Sequence, residues 1–186
     1  YIDTSGPVGD FVAASYRARM ELLAGVIAIL ALVVVSALGV WGTREAAKGS
    51  ARINTISTAI RNHMEADMMH DALRADVLVA LREGRAGNKA AQKEVVDATA
   101  EHIQNFEDHV EANKAIDLPA EARTALDDIG PALTAYIEAA KTIVDQAFAD
   151  NYAANEAFPD FLKKFEALED KMGTTSDAIQ HSADVI

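Results

Sequence analysis

The chain has 186 residues, of which 50% are hydrophobic and 25% charged, the balance of an ordinary folded protein. Its formal net charge of −12 at pH 7 argues against nucleic-acid binding, because a phosphate backbone requires clustered Lys and Arg. The chain has no cysteine, which excludes disulfides, thiolate chemistry and cysteine-based zinc sites. It begins with Tyr1 rather than Met, so we expect it to be a fragment of a longer protein.

The first predicted element is a membrane-spanning helix at residues 20–42, preceded by an N-terminal tail at residues 1–19. Residues 22–41 carry no charge. At ~1.5 Å per residue this segment is ~30 Å long, the thickness of a bilayer core, and it is longer than the apolar region of a signal peptide. Trp41 lies where an interfacial aromatic residue belongs. Basic residues flank both ends of the segment, so the charge rule alone does not orient it.

Four helices are predicted after the span, and together they form residues 43–186. Two glycines at residues 84–88, the Asp117–Pro119 start signal and Pro159 mark the breaks between them. No alternating run of β-branched residues occurs outside the apolar segment, which makes the fold all-α. Because the connections are short, successive helices should be antiparallel neighbours in an up-down-up-down four-helix bundle. The predicted helices cover about residues 43–83, 88–115, 119–157 and 159–186.

Apolar residues in these helices recur at alternating steps of three and four, as expected for the buried face of a bundle helix. In the second helix the face contains Val95, Thr99, Ile103, Phe106 and Val110. In the third it contains Leu126, Ile129, Leu133, Tyr136, Ala140, Ile143 and Ala147, and in the fourth Phe161, Phe165, Leu168, Met172, Thr175 and Ile179.

The first bundle helix carries a polar block, HMEADMMHDALRAD, at residues 63–76. Apolar residues precede and follow the block on the face predicted to be buried. A polar block on such a face needs partners or a ligand, because an unpaired buried polar group costs ~1–3 kcal/mol. The predicted buried face of this helix consists of Ile53, Ile56, Ile60, His63, Asp67, His70, Arg74, Val77 and Leu81.

Two histidines of the second helix have the same spacing as the two in the polar block. If the hairpin turns around Ala86, His63 stands level with His109, and His70 with His102. We therefore predict an inward polar cluster that binds a ligand, formed by His63, Asp67, His70, Arg74, His102 and His109.

Three interpretations of the cluster remain open. The first is a hydrogen-bonded layer that fixes the helix register, and the second is a metal site. The third is a pocket for a small anion, which the Arg74 guanidinium would bind through two hydrogen bonds with help from Arg82 or Arg61. Imidazole and carboxylate ligands suit zinc, whereas thioethers favour copper. Histidines beside Asp67 and Asp71 are also expected to titrate near neutral pH. The candidate metal ligands are His63, Met64, Asp67, Met68, His70 and His102.

No residue pattern predicts an enzyme. Asp67 and His70 form one carboxylate-x-x-His motif, but di-iron bundles need a second, and no carboxylate lies three residues before His102 or His109. The sequence contains no GxSxG, P-loop, GxGxxG or His-Glu-x-x-His motif. Apart from a zinc or copper ion at the cluster, no cofactor is predicted.

Three phrases of the sequence resemble the sensor half of bacterial methyl-accepting chemotaxis proteins. They are MMHDALRADVL at residues 68–78, TAYIEAAKTIVDQAF at residues 134–148 and FLKKFEALEDKM at residues 161–172. The resemblance implies a cytoplasmic N-terminus, a periplasmic bundle, a second span beyond Ile186, a HAMP linker and a methylated signalling hairpin. It also implies recognition of organic acids or amino acids between subunits of a homodimer.

We therefore expect the ligand-sensing domain of a transmembrane chemoreceptor, with one span in the bacterial inner membrane and the bundle in the periplasm. The expected partners are a second copy, the membrane and a small-molecule or metal ligand. Cytoplasmic signalling proteins would be reached only through segments absent from this chain. The same bundle also suits a histidine kinase or diguanylate cyclase sensor. A membrane-anchored structural bundle, whose outer face binds a partner, is the alternative from another class.

Overall fold

The computed structural model describes residues 7–184, with side-chain surroundings for residues 16–183, and all of its regular structure is helical. The all-α class is confirmed, because no strand occurs among the described residues. The elements are α1 (Pro7–Arg85), a 3-10 turn (Lys89–Ala91), α2 (Gln92–Lys114), α3 (Ala120–Ala147) and α4 (Asn151–Asp184).

The chain divides into two units, residues 1–50 and residues 51–186. The described part of the first unit belongs to α1, whose apolar side chains between Leu22 and Trp41 are exposed. By length and composition, α1 is long and apolar enough to cross a membrane. The predicted tail is helical from Pro7 onward and continues without a break through the predicted span and the first bundle helix. Residues 1–6 of that tail lie outside the described residues.

In the second unit, hydrogen bonds and ring contacts join α1 to α2, α1 to α4 and α3 to α4. As the residue numbers rise along α1, the numbers of their partners in α2 fall: Ala59 pairs with Asn113, whereas Asp76 pairs with His102. The same reversal holds between α1 and α4, where His70 contacts Phe165 and Leu81 contacts Asn151. It also holds between α3 and α4, where Ala125 contacts Thr175 and Tyr136 contacts Phe161.

The buried faces of α2, α3 and α4 are those predicted from the spacing. Every residue named above for these three faces is buried in the structure. Large apolar residues at steps of three and four leave only one helix face that can be removed from water, so these predictions are confirmed.

The buried face of α1 is a correction to the prediction. It keeps the predicted positions 56, 63, 70, 77 and 81 but replaces 60, 67 and 74 by the residue before each. Ile53 and Asp67 are exposed, and Ile60 and Arg74 are half-buried. Alanines allow close approach of a neighbouring helix, so the face rotates toward them. The buried residues of α1 are Ile56, Ala59, His63, Ala66, His70, Leu73, Val77, Ala80 and Leu81.

The break between the last two helices is also corrected. The connection lies at residues 148–150, where the Asp150 carboxylate accepts a hydrogen bond from the Ala153 amide at 3.1 Å and so caps the start of α4. Pro159 lies inside α4 on its exposed side. The first hairpin turns at Gly87, whose φ of 67° lies in the left-handed region that favours glycine. The predicted end of the last helix, at residues 185–186, lies outside the described residues.

Gly84 allows the end of α1 to approach the connection between α3 and α4. A Cβ added at this position would lie 1.9 Å from the Ala147 carbonyl oxygen and 2.6 Å from its carbonyl carbon. Backbone atoms cannot move aside as the end of a flexible side chain can. We predict that Gly84→Ala lowers the free energy of unfolding by ~1–3 kcal/mol, as overpacking does. Urea unfolding of the detergent-solubilised chain, followed by circular dichroism, measures the change.

Gly130 and Gly173 provide matched controls, because a Cβ at either position would have no atom within 4 Å. Both lie inside helices, where alanine is preferred over glycine by ~0.5–1 kcal/mol. Gly130→Ala and Gly173→Ala should therefore raise the midpoint. A Gly84→Ala midpoint equal to or above that of the parent chain would contradict the close approach.

Candidate functional site

His70 lies at the centre of the buried polar layer and is 2% exposed. Its ring stacks on the Phe165 ring of α4, with the centroids 4.0 Å apart and the planes inclined by 5°. Its Nε2 atom lies 3.2 Å from the Phe165 carbonyl oxygen. Because a carbonyl oxygen can only accept, Nε2 carries the hydrogen in this contact. One residue of α4 thus receives a stacking contact on its ring and a hydrogen bond at its backbone carbonyl, both from α1.

Tyr136 joins α3 to the same residue of α1. Its hydroxyl donates a hydrogen bond to the His70 carbonyl oxygen at 2.7 Å, and its ring lies 5.0 Å from the His70 ring. Burial raises the pKa of Tyr136, so that its hydroxyl remains a protonated donor. On the α2 side, the edge of Phe106 approaches the His70 ring at 6.3 Å. All four helices therefore meet around His70.

His63 lies one heptad earlier on the same buried face of α1. It is buried near the backbone of Met172, which lies seven residues beyond Phe165 in α4. Burial lowers the pKa of both His63 and His70, and the nearby Asp67 carboxylate offsets only part of this effect. The neutral imidazole is thus the favoured form of both side chains.

Arg74 lies at the edge of the layer, where its side chain is 43% exposed. Its guanidinium carbon is 4.4 Å from the centroid of the Phe165 ring, the distance of a cation–π contact. Its closest carboxylate is Asp71, at 3.4 Å on the same helix. Arg74 therefore combines a fixed aromatic support with donors that solvent can reach.

The remaining predicted cluster residues do not join this layer. Asp67 is exposed, and His109 is half-buried on α2. His102 donates a hydrogen bond from Nδ1 to the Asp76 carboxylate at 2.7 Å and makes none with His70. Of the six residues predicted to point inward, only His63 and His70 are buried.

The predicted pairing of His70 with His102 is not found, because the His70 ring lies near Phe106 instead. The contact of Asn113 with Ala59 agrees with a turn around Ala86, so α2 is not displaced along its whole length.

The structure does not bring the candidate metal ligands together. Met64 and Met68 are 63% and 53% exposed, whereas His63 and His70 point into the core toward α4. Between residues 16 and 183, no three His, Asp or Glu side chains converge as a metal site requires. The metal interpretation is therefore not carried further.

Two polar contacts between α1 and α2 are absent from the sequence prediction. One is the Asp76–His102 pair between α1 and α2. The other is Asn113, 1% exposed, which donates from Nδ2 to the Ala59 carbonyl oxygen at 3.1 Å while its Oδ1 has no partner among the described residues. Asn113 follows Val110 at the spacing of the α2 face, which is the signal that would have found it.

No protein-family model matches the chain, and it matches neither a curated protein nor a solved structure.

The hydrogen bond from Tyr136 to His70 can be tested without changing the packing of the ring. We predict that Tyr136→Phe lowers the free energy of unfolding by about 1 kcal/mol, the usual net value of one such bond. Tyr152→Phe is the matched control, because the Tyr152 side chain is exposed and its loss of a hydroxyl should leave the midpoint unchanged. Urea unfolding measures both variants, and equal midpoints for the two would contradict the contact.

Proposed function

We propose that the chain is the ligand-sensing part of a transmembrane chemoreceptor. Residues 20–42 would span the bacterial inner membrane, and residues 43–186 would form an up-down-up-down four-helix bundle in the periplasm. The opposed directions of the α1–α2, α1–α4 and α3–α4 contacts support this topology. The exposed apolar segment between Leu22 and Trp41 supports the span.

The observation that carries the proposal is the position of the polar layer on α1. The helix that holds His63, His70 and Arg74 is the same uninterrupted helix that contains the apolar segment. A shift of this helix against α4 is the kind of small helix displacement by which a signal can be transmitted. A ligand can favour one position only by its differential affinity for the two states.

A small carboxylate is the ligand class that the layer suits best. Arg74 offers an exposed guanidinium held over the Phe165 ring, and planar guanidinium groups bind carboxylates through two parallel hydrogen bonds. Arg82 is a weaker candidate, because it already pairs with Glu83 at 2.7 Å. Arg61 is exposed on α1, about three turns before Arg74, which is too far for both to bind one small anion.

We expect a panel of organic acids and amino acids to contain a compound that raises the unfolding temperature of the chain. A ligand at one hundred times its Kd should add about 2.7 kcal/mol of stability. Arg74→Ala should abolish the shift in unfolding temperature, because it removes the guanidinium group that binds the carboxylate. Arg85→Ala is the matched control, since Arg85 is an exposed residue at the end of the same helix.

Two results would count against an anion site at Arg74. The first is a thermal shift that survives in Arg74→Ala. The second is the absence of a shift with every compound, which would favour the register-setting interpretation and a structural bundle. A shift produced by zinc or copper and lost in His102→Ala would instead revive the metal interpretation.

The proposal includes a homodimer formed through α1. Several large apolar residues of this helix are exposed beside its buried face, and two exposed carboxylates, Asp67 and Asp71, lie among them. Two copies held in one membrane would present this stripe to each other in parallel. The apolar residues of the stripe are Ile53, Met64, Met68 and Leu78, with Ile60 half-buried beside them.

We predict that Met64→Lys reduces dimer formation at least tenfold, since it places a charge in the centre of the stripe. Ala100→Lys is the matched control, because Ala100 is exposed on α2 and lies outside the stripe. Sedimentation equilibrium in detergent measures the association constant of the parent chain and both variants. A monomeric parent chain, or equal association of all three, would contradict the α1 interface.

A further inference from the structure

Two buried histidines of α1 lie against α4, and we call them the histidine clasp. The Nε2 atom of His70 forms a hydrogen bond with the Phe165 carbonyl oxygen, and His63 lies near the backbone of Met172. The two histidines are one heptad apart on α1, so they lie on one side of the helix, about two turns apart. A displacement of α1 along α4 would disturb both positions at once.

The His70 contact uses one ring N–H, so the neutral imidazole is sufficient for it. A second proton adds a full charge to a side chain that has been removed from water, and this is costly unless a counter-charge is close. Around the His70 ring, α2 contributes the uncharged Phe106 and α3 the Tyr136 hydroxyl. Neither can compensate a positive charge.

The charged groups near the clasp lie on α1 and α4. The carboxylates near His70 are Asp67, Asp71 and Glu169, and all three are exposed, so water screens their attraction. Near His63 the carboxylate is Asp67. Arg74 acts in the opposite sense, because its guanidinium lies over the same Phe165 ring on which His70 stacks. A protonated His70 would thus bring a second cation to that ring.

We propose that the histidine clasp makes the association of α1 with α4 responsive to protons. The clasp is closed while His63 and His70 are neutral, and protonation of the pair weakens the contact between the two helices. The inference concerns the helical domain alone and does not depend on the proposed receptor function. In a receptor it would make external acidity an input to the same helix that carries the ligand signal.

The sign of the effect follows from proton linkage. Burial lowers the pKa of both histidines below the ordinary value of 6.5, so the unfolded chain binds protons more readily than the folded chain. Their contribution to stability is therefore fully present above pH 6.5 and is lost as the pH falls through the folded-state pKa. Acidification should loosen the clasp, whereas alkaline conditions above neutrality should leave it unchanged.

The experiment compares the full chain in detergent with the double variant His63→Gln/His70→Gln. Glutamine keeps an N–H donor at each position but does not titrate. Between about pH 8 and about pH 5.5, where ordinary histidines change charge, the unfolding midpoint of the parent chain should fall by several degrees. The double variant should lose most of this dependence. His181→Gln is the matched control, because His181 is exposed on α4 and its replacement should leave the dependence intact.

Hydrogen exchange locates the effect in the molecule. In the parent chain, acidification should increase the opening of α4 amides at residues 165–172 after correction for the intrinsic rate, and the increase should be absent from the double variant. A parent midpoint that does not fall with pH would overturn the proposal, as would a fall that persists in the double variant.

A second measurement applies if the double variant does not fold. Proton NMR of the parent chain in detergent resolves histidine ring signals, which can be assigned with single His→Gln replacements. The rings of His63 and His70 should titrate below the ordinary histidine pKa of 6.5. If both titrate at 6.5 or above, the clasp does not respond as proposed.

Discussion

The helical domain depends on one buried side chain more than on any other. The His70 ring stacks on the ring of Phe165 in α4 and donates a hydrogen bond to the Phe165 carbonyl oxygen. The backbone carbonyl oxygen of His70 accepts a hydrogen bond from the Tyr136 hydroxyl. The edge of Phe106 brings α2 to the ring as well. An imidazole can serve in this way because it presents an aromatic face and a hydrogen-bond donor at once. Leucine at this position would fill the space but would leave the donor contact unmade.

The packing of α1 explains why such a polar layer is needed. Three residues of its buried face are alanines, at positions 59, 66 and 80, and Gly84 follows at the point of closest approach to α3. Small residues bring helices close together but bury little apolar surface. Because burial contributes about 25 cal/mol per Å² of apolar surface, these residues stabilise the contact only weakly. The attachment of α1 therefore relies on the few large or polar side chains between the alanines, and the two histidines occupy the centre of that face.

The sequence predicts the faces of α2, α3 and α4 correctly because each carries large apolar residues at only one set of positions. At three positions of α1 the predicted buried residue follows the observed one: 60, 67 and 74 are predicted, whereas 59, 66 and 73 are buried. Ile60 is more apolar than Ala59 and is therefore the stronger signal for burial. The 3-10 turn within the hairpin is missed because it has no distinctive sequence signal. The pairing of His70 with Phe165 could not be predicted, because it joins residues 95 positions apart whose register is set by the whole α1–α4 contact.

The exposed Arg74 and the buried His70 share the Phe165 ring, so binding at one site affects the other. An anion on Arg74 would cancel the charge that opposes protonation of His70, and the histidine would then accept a proton more readily. By reciprocity, a proton on His70 would strengthen the binding of the anion by the same factor. Since protonation also loosens the contact of α1 with α4, the anion and the proton would favour the same displaced position of α1. The Phe165 ring, which both side chains contact, is thus the element through which a surface ligand would act on a buried helix contact.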